Sequence, residues 1–115
     1  IALIRRLAAW VEEADDFELM SEPSLSICCF RFIPPDLRPL TEEVETYLSK
    51  LNQDIEMALA EDGRALVSGT QLHGKRVLRA CIVNHRVTEA GVKQTFLLLR
   101  ELGHMIDSQL RTQDR

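Results

Sequence analysis

The feature that most constrains the fold is a helical apolar stripe in the middle of the chain. The stripe is preceded by Thr41, a residue type that caps helix N-termini, and it is followed by Asp62 and Gly63. Glycine tolerates the left-handed conformation in which many helices end. The apolar positions recur at spacings of three and four, the period of one helix face: Val44, Leu48, Leu51, Ile55 and Leu59. The pattern therefore predicts a helix that begins after Thr41 and ends at Gly63.

Two further helices are predicted, one towards each end of the chain. Residues 1–14 place apolar side chains at helical spacing. Thr88 is a second N-cap, and an apolar stripe from Val92 to Ile106 follows it. Gly103 interrupts this last helix, and a glycine inside a helix costs about 1 kcal/mol relative to alanine. We therefore expect the last helix to weaken near Gly103, and residues 111–115 to fray.

Four strands are predicted in the two intervals between the helices. They are apolar segments bounded by turn residues, at 17–20, 25–33, 65–72 and 75–84, with a tight turn at His73 and Gly74. The order helix, hairpin, helix, hairpin, helix is typical of an α+β fold. We predict an antiparallel sheet of about four strands, with three helices packed mainly on one face.

The composition fits one globular domain and excludes several classes of protein. The 115 residues are 45% hydrophobic and 28% charged. The net charge of -4 does not resemble that of a nucleic-acid-binding protein. No apolar stretch approaches the ~18 residues that a membrane-spanning helix needs. Helical periodicity already runs at Ile1 without a preceding cap, so we expect residues 1–115 to be one domain of a longer protein.

The three cysteines are expected to be reduced core residues. Cys28, Cys29 and Cys81 lie inside apolar, strand-like segments, and their number is odd. No CxxC or cysteine–histidine spacing predicts a metal site. Free cysteine behaves as a small hydrophobic residue and persists in reducing compartments. The pattern favours a cytoplasmic protein without a metal ion.

Two arginines lie where arginine is rarely found. Arg79 interrupts the apolar run 77–83, which we expect to be buried on both faces, and Arg31 lies within the run 27–33. Arginine is almost never fully buried unless it is paired, and an unpaired buried charge is costly. Each therefore needs an anion, either a distant acidic side chain or a ligand carboxylate or phosphate. The planar guanidinium binds a carboxylate through two parallel hydrogen bonds, so an amino acid is a natural ligand.

The other polar groups have structural explanations. The sequence has no nucleophile elbow, phosphate-binding loop or zinc-protease motif, so no catalytic residue is predicted. None of the three histidines, His73, His85 and His104, has a second metal ligand at useful spacing. We expect the acidic residues of 42–45 to form the solvated face of a helix. Lys75 and Arg76 are expected to form a solubilising edge of the second hairpin.

Several segments together resemble a known family. The segments 17–19, 27–32 and 68–84 and the pair Leu51-Asn52 are similar to the C-terminal small domain of the group II pyridoxal-phosphate-dependent amino-acid decarboxylases. That family includes the aromatic-amino-acid, glutamate and diaminobutyrate decarboxylases. The most specific part is the Leu-Arg-x-x-Ile core around Arg79, followed by a threonine-capped helix. The resemblance covers nearly all of residues 1–115 but leaves the large, cofactor-binding domain unrepresented.

The resemblance implies a fold type I enzyme, usually a homodimer, that decarboxylates an L-amino acid and binds pyridoxal phosphate in its large domain. It implies no catalytic or cofactor-binding residue here, because Lys50, Lys75 and Lys93 match no Schiff-base lysine. Arg79 occupies the position of an arginine that orients the substrate carboxylate, whereas Arg31 is assigned to a structural ion pair. The expected partners are the large domain, a second copy of the chain and the L-amino-acid substrate. The isolated chain is expected to be inactive.

Two other functions remain open on the sequence alone. An enzyme of the same architecture could instead be an aldehyde lyase or an aminotransferase. Alternatively, the chain could be a stand-alone ferredoxin-like module for ligand binding or oligomerisation, with Arg79 in a self-contained anion site. Analysis of the reaction products would distinguish the first alternative from a decarboxylase. Binding of an amino acid to the isolated chain would favour the second.

Overall fold

The computed structural model describes residues 2–24, 26–61, 67–82 and 87–113. In this part of the chain, three helices and four strands follow the predicted order. The helices are α1 (Ala2–Glu13), α2 (Glu42–Glu61) and α3 (Glu89–Gln113), and a 3₁₀ helix (Pro35–Leu37) precedes α2. The strands are β1 (Phe17–Leu19), β2 (Ile27–Phe32), β3 (Val67–Leu72) and β4 (Lys75–Cys81). The predicted helix end at Gly63 and the strand end with His85 lie outside the described residues.

The four strands form one antiparallel sheet in the order β1–β2–β4–β3. The β3–β4 hairpin turns at His73 and Gly74, whose φ angles are 54° and 78°. A two-residue hairpin turn needs such positive values to match the twist of its strands. The central strands are β2 and β4, and Cys29 pairs with Arg79 between them. The predicted α+β class, antiparallel sheet and hairpin turn are confirmed.

Side-chain caps fix the start of both long helices. Thr41 Oγ1 accepts a hydrogen bond from the Val44 amide at 3.2 Å, and Thr88 Oγ1 accepts one from the Gly91 amide at 3.1 Å. Each bond satisfies one of the amides that a helix N-terminus otherwise leaves unpaired. The caps predicted at Thr41 and Thr88 are therefore confirmed.

The helices pack on one face of the sheet and enclose the core. That face carries Cys28, Phe30 and Phe32 of β2 and Leu78 and Ala80 of β4, which cluster with apolar side chains from all three helices. Because successive strand residues point to opposite faces, the other face carries a different set. We call it the outer face, and none of its residues on the central strands belongs to the core cluster: Ile27, Cys29, Arg31, Val77, Arg79 and Cys81.

Helix α3 differs from its prediction in two respects. It continues unbroken through Gly103, where a Cβ atom would lie 2.8 Å from atoms of the Phe32 ring. Glycine therefore lets α3 approach the sheet closely. Near its end, Arg111 binds Asp36 at 2.6 and 3.0 Å and Asp107 at 2.9 Å. The predicted weakening at Gly103 and fraying over 111–113 were wrong, because tertiary contacts stabilise both places.

Candidate functional site

Arg79 lies near the centre of the outer face. Its backbone stands between Cys29 of β2 and Ser68 of β3, on a central strand of the sheet. The side chains of Arg79 and Cys81 are only half-buried. The prediction that this run is buried on both faces was therefore wrong for Arg79 and Cys81, although Val77 on the same face is fully buried. Pairing on both sides nevertheless holds the backbone of Arg79 in a rigid element, which is a good support for a binding residue.

Arg79 is the exception among the buried and half-buried arginines of the described residues. The other four form ion pairs: Arg31 with Glu18 and Glu45, Arg76 with Glu56, Arg100 with Asp16, and Arg111 with Asp36 and Asp107. Within the described ranges, no acidic side chain forms an ion pair with Arg79. A guanidinium carries five N–H donors, which suit an anionic partner.

Arg31 is enclosed by carboxylates and is only 2% exposed. Its Nε donates to Glu18 at 2.8 Å, and its two terminal nitrogens donate to the two oxygens of Glu45 at 2.8 Å each. Burial opposes the charged form, but the hydrogen bonds to Glu45 and Glu18 outweigh it and raise the pKa of Arg31 above its ordinary value. The guanidinium is thus committed to protein carboxylates rather than to a ligand.

Three polar residues of this region form ion pairs that the sequence did not suggest. Glu45 is half-buried between Arg31 and Lys75, with the Lys75 ammonium at 3.3 Å. Arg76 donates to Glu56 at 2.7 Å. The predictions of a solvated face and a solubilising edge were therefore wrong for Glu45, Lys75 and Arg76. These residues tie α2 to β2 and β4, an arrangement that depends on where the helix crosses the sheet.

A second polar cluster, which the sequence did not predict, joins α3 to the residues before β1. Asp16 is buried and accepts two hydrogen bonds from Arg100, at 2.8 and 3.0 Å, while His104 Nε2 lies 3.1 Å from the same carboxylate. Burial disfavours the charged carboxylate, but the bonds from Arg100 and His104 outweigh it and lower the pKa of Asp16. The partners are 84 and 88 residues apart, so no local pattern could have revealed them. The cluster anchors α3.

The three thiols divide between the two faces of the sheet. Cys28 lies in the core, where burial, with a smaller effect of neighbouring Cys29, raises its pKa to about 12. Cys29 is buried on the outer face, and Cys81 is half-buried there. All three are free thiols. The prediction of core positions is therefore confirmed for Cys28 and wrong for Cys81.

Comparisons with known proteins identify the chain's relatives. No family model matches it. It is 27% identical over 106 residues to the aromatic-L-amino-acid decarboxylase of Bacillus atrophaeus, which covers 92% of this chain and 21% of that protein. It is 30% identical over 105 residues to human cysteine sulfinic acid decarboxylase, covering 88% and 21%. The crystal structure of mouse CSAD in its apo form matches with a TM-score of 0.77 and 26% identity, covering 89% of this chain and 22% of that one. The chain is a homologue of the group II amino-acid decarboxylases.

The chain spans about a fifth of the length of the relatives it matches. The resemblance to the small domain of that family is confirmed. One relative is named for aromatic amino acids and the other for cysteine sulfinic acid.

Each of the three lysines has a neighbouring group in the structure. Lys50 is 61% exposed and pairs with Asp54, Lys75 pairs with Glu45, and the Lys93 ammonium lies 4.4 Å from the Trp10 ring centroid. Among the described residues, no group of three histidine, cysteine or acidic side chains could hold a metal ion. No helix in the same ranges has the length and apolar character to cross a membrane.

Proposed function

We propose that this chain is the small domain of a pyridoxal-phosphate-dependent L-amino-acid decarboxylase, and that Arg79 binds and orients the substrate carboxylate. The observation that supports the proposal is a half-buried guanidinium on the outer face that has no acidic partner among the described residues. The hydrophobic core lies against the other face of the sheet, so an anion would reach Arg79 from the outer side. The homology to decarboxylases makes an amino-acid carboxylate the natural anion.

The chemistry assigned to Arg79 is orientation. Two parallel hydrogen bonds from a guanidinium fix both the distance and the plane of a carboxylate. Correct orientation lowers the barrier because the reacting groups no longer have to find their alignment. When bound elsewhere in the enzyme, the cofactor supplies the electron sink that decarboxylation requires. The contribution of this chain is a fixed anchor on a paired central strand.

The proposal includes the assembly. Relatives more than four times as long as this chain support a large cofactor-binding domain as its partner, and the family resemblance favours a homodimer. The free thiols are consistent with a reducing, cytoplasmic location. We expect the isolated chain to be inactive. Sedimentation analysis of the whole enzyme would test the dimer, and a monomeric active enzyme would contradict it.

The decisive experiment measures steady-state decarboxylation by the whole enzyme with Arg79 replaced. Charge-assisted hydrogen bonds contribute about 1.5–3 kcal/mol, so Arg79→Ala should lower kcat/KM roughly 10- to 150-fold. Arg79→Lys should also be impaired, because an ammonium retains the charge but lacks the planar fork. Arg5→Ala is a matched control, since it removes an exposed arginine from α1. Kinetics of Arg79→Ala equal to those of the control would refute the role of Arg79.

The enzyme class has a separate test. The visible absorbance of the whole enzyme, before and after borohydride reduction, reports a lysine-bound pyridoxal cofactor. A colourless protein that remains so after addition of pyridoxal phosphate would refute the decarboxylase assignment. A decarboxylase would release carbon dioxide. An aminotransferase would instead form a keto acid, and an aldehyde lyase would form an aldehyde by carbon–carbon cleavage.

A further inference from the structure

Strands β2 and β4 separate beyond the pair Phe30–Leu78. If the register continued, Phe32 would lie opposite Arg76, but side chains of α2 lie between the two strands there. Asn52 Oδ1 accepts a hydrogen bond from the Phe32 amide at 2.8 Å, and Asn52 Nδ2 donates to the Phe32 carbonyl at 3.1 Å. The Arg76 amide donates to Ser49 Oγ at 3.2 Å. Side chains of α2 thus replace the next step of the ladder. We call this place the fork.

Asn52 is the central residue of the fork. It is fully buried, and its amide group makes three hydrogen bonds, two to the Phe32 backbone and one to the Leu48 carbonyl at 2.8 Å. A buried amide that is fully bonded is costly to disturb, because a lost partner leaves a buried polar group unsatisfied. Asn52 therefore ties the backbone of β2 firmly to α2.

Asn52 belongs to a polar stripe along one face of α2. Glu45, Ser49, Asn52 and Glu56 are spaced by four, three and four residues, so they share a helix face. Each of them binds the sheet beside the fork, and Glu45 and Glu56 do so through ion pairs with Arg31, Lys75 and Arg76. These bonds hold α2 in one place relative to the two central strands.

We propose that Asn52 is a positioning residue for Arg79. This inference rests on the proposed binding of the substrate carboxylate by Arg79. Along β4, Leu78 is the first residue after the fork that pairs regularly with β2, and Arg79 comes next. Asn52 holds β2 to α2, while Ser49 of the same helix holds β4. The bonds of Asn52 thereby set how the two strands diverge, and hence where the Arg79 side chain points on the outer face. A bidentate carboxylate contact tolerates errors of only about 0.5 Å and 10–20°, so a small change at the fork weakens it.

The test is a double-mutant cycle in the whole, cofactor-loaded enzyme. We would measure carbon dioxide release with the best substrate among L-tryptophan, L-aspartate and L-cysteine sulfinate, per cofactor-bearing site. Asn52→Ala should lower kcat/KM at least five-fold, mainly by raising KM, when Arg79 is present. In an Arg79→Ala background it should change kcat/KM less than two-fold, because the group that it positions is gone. Gln53→Ala, on the exposed side of α2, is the control and should have no effect.

Two outcomes would overturn the inference while Arg79 keeps its role. Equal losses in both backgrounds would mean that Asn52 acts only through general stability, and no loss in either would mean that the fork does not position Arg79. If Asn52→Ala does not fold, Ser49→Ala removes the bond to the Arg76 amide without emptying the buried site. It should show the same dependence on Arg79 with a smaller effect. If Arg79→Ala itself has wild-type kinetics, the proposed function fails, and the inference fails with it.

Discussion

Replacing Gly103 by alanine sets helix propensity against packing. On propensity alone, Gly103→Ala should stabilise the protein by about 1 kcal/mol. In the folded structure, the added methyl carbon would lie 2.8 Å from ring atoms of Phe32. Optimal carbon–carbon contacts are at about 3.5–4.0 Å, so the ring or the helix must move by about 0.7 Å or more. The two effects therefore have opposite signs, and their magnitudes decide the result.

The surroundings of Phe32 favour the packing effect. Its side chain is fully buried. The Phe17 ring stands at 78° to it with centroids 5.3 Å apart, and the His104 ring stands at 89° at 4.9 Å. A ring held from two sides has little room to shift, so we take the upper part of the about 1–3 kcal/mol range for overpacking. The net expectation is a destabilisation of about 1–2 kcal/mol.

Urea denaturation of the purified protein measures this difference, provided that the slope of the transition is unchanged. Gly91→Ala is the matched control in the same helix, because its Cβ would meet only Thr88 Oγ1, at 3.3 Å. Thr88 Oγ1 has to give way by only a few tenths of an ångström, so we expect the gain from the less flexible unfolded chain to prevail and to stabilise the protein by up to about 1 kcal/mol. A Phe32→Leu background should reduce the penalty at Gly103. If Gly103→Ala stabilises the protein as much as Gly91→Ala does, the packing argument is wrong.

Three further predictions concern a glycine of β3, the carboxylate of Asp16 and the thiols of β2 and β4. A Cβ atom at Gly69 would meet the flexible ends of the Glu56 and Arg76 side chains, so Gly69→Ala should cost no more than about 1 kcal/mol by displacing their ion pair, and close to nothing in a Glu56→Ala background; equal costs would contradict this. The pKa of Asp16 is lowered from 3.8 in the folded state, so its stabilisation is fully present above that value and is lost as the pH falls through the folded pKa. Asp16→Asn should therefore flatten the acid side of the stability profile, and an unchanged profile would count against the ion pair. Iodoacetamide at pH 8 should label half-buried Cys81 well before Cys28, whose pKa is raised to about 12; equal rates of labelling would refute this.

Local patterns were sufficient for most of the secondary structure. Thr41 and Thr88 cap their helices through bonds that span only three residues, and the hairpin turn at His73 and Gly74 follows from the backbone freedom of glycine. The anomaly at Arg79 was also visible in the sequence, because a single charge interrupts an apolar run. Such features depend on neighbours close in the chain, and for that reason they could be predicted.

The partners of the charged residues could not be predicted in this way. Arg31 finds Glu45, and Arg100 finds Asp16 across 84 residues. Asn52 replaces a step of the ladder only because α2 crosses between β2 and β4. Periodicity indicates which face a side chain shares, but it does not indicate which distant element that face meets.

The sequence by itself determined the three helices, the antiparallel hairpins, their caps and turn, and the arginine that stands out. Only the tertiary structure decided which arginine is neutralised by protein carboxylates. Arg31 is enclosed by Glu18 and Glu45, whereas Arg79 faces outward without an acidic partner among the described residues. The physical reason is that ion pairing acts over a few ångströms in space, and those distances exist only after α2 and β1 have packed beside the central strands.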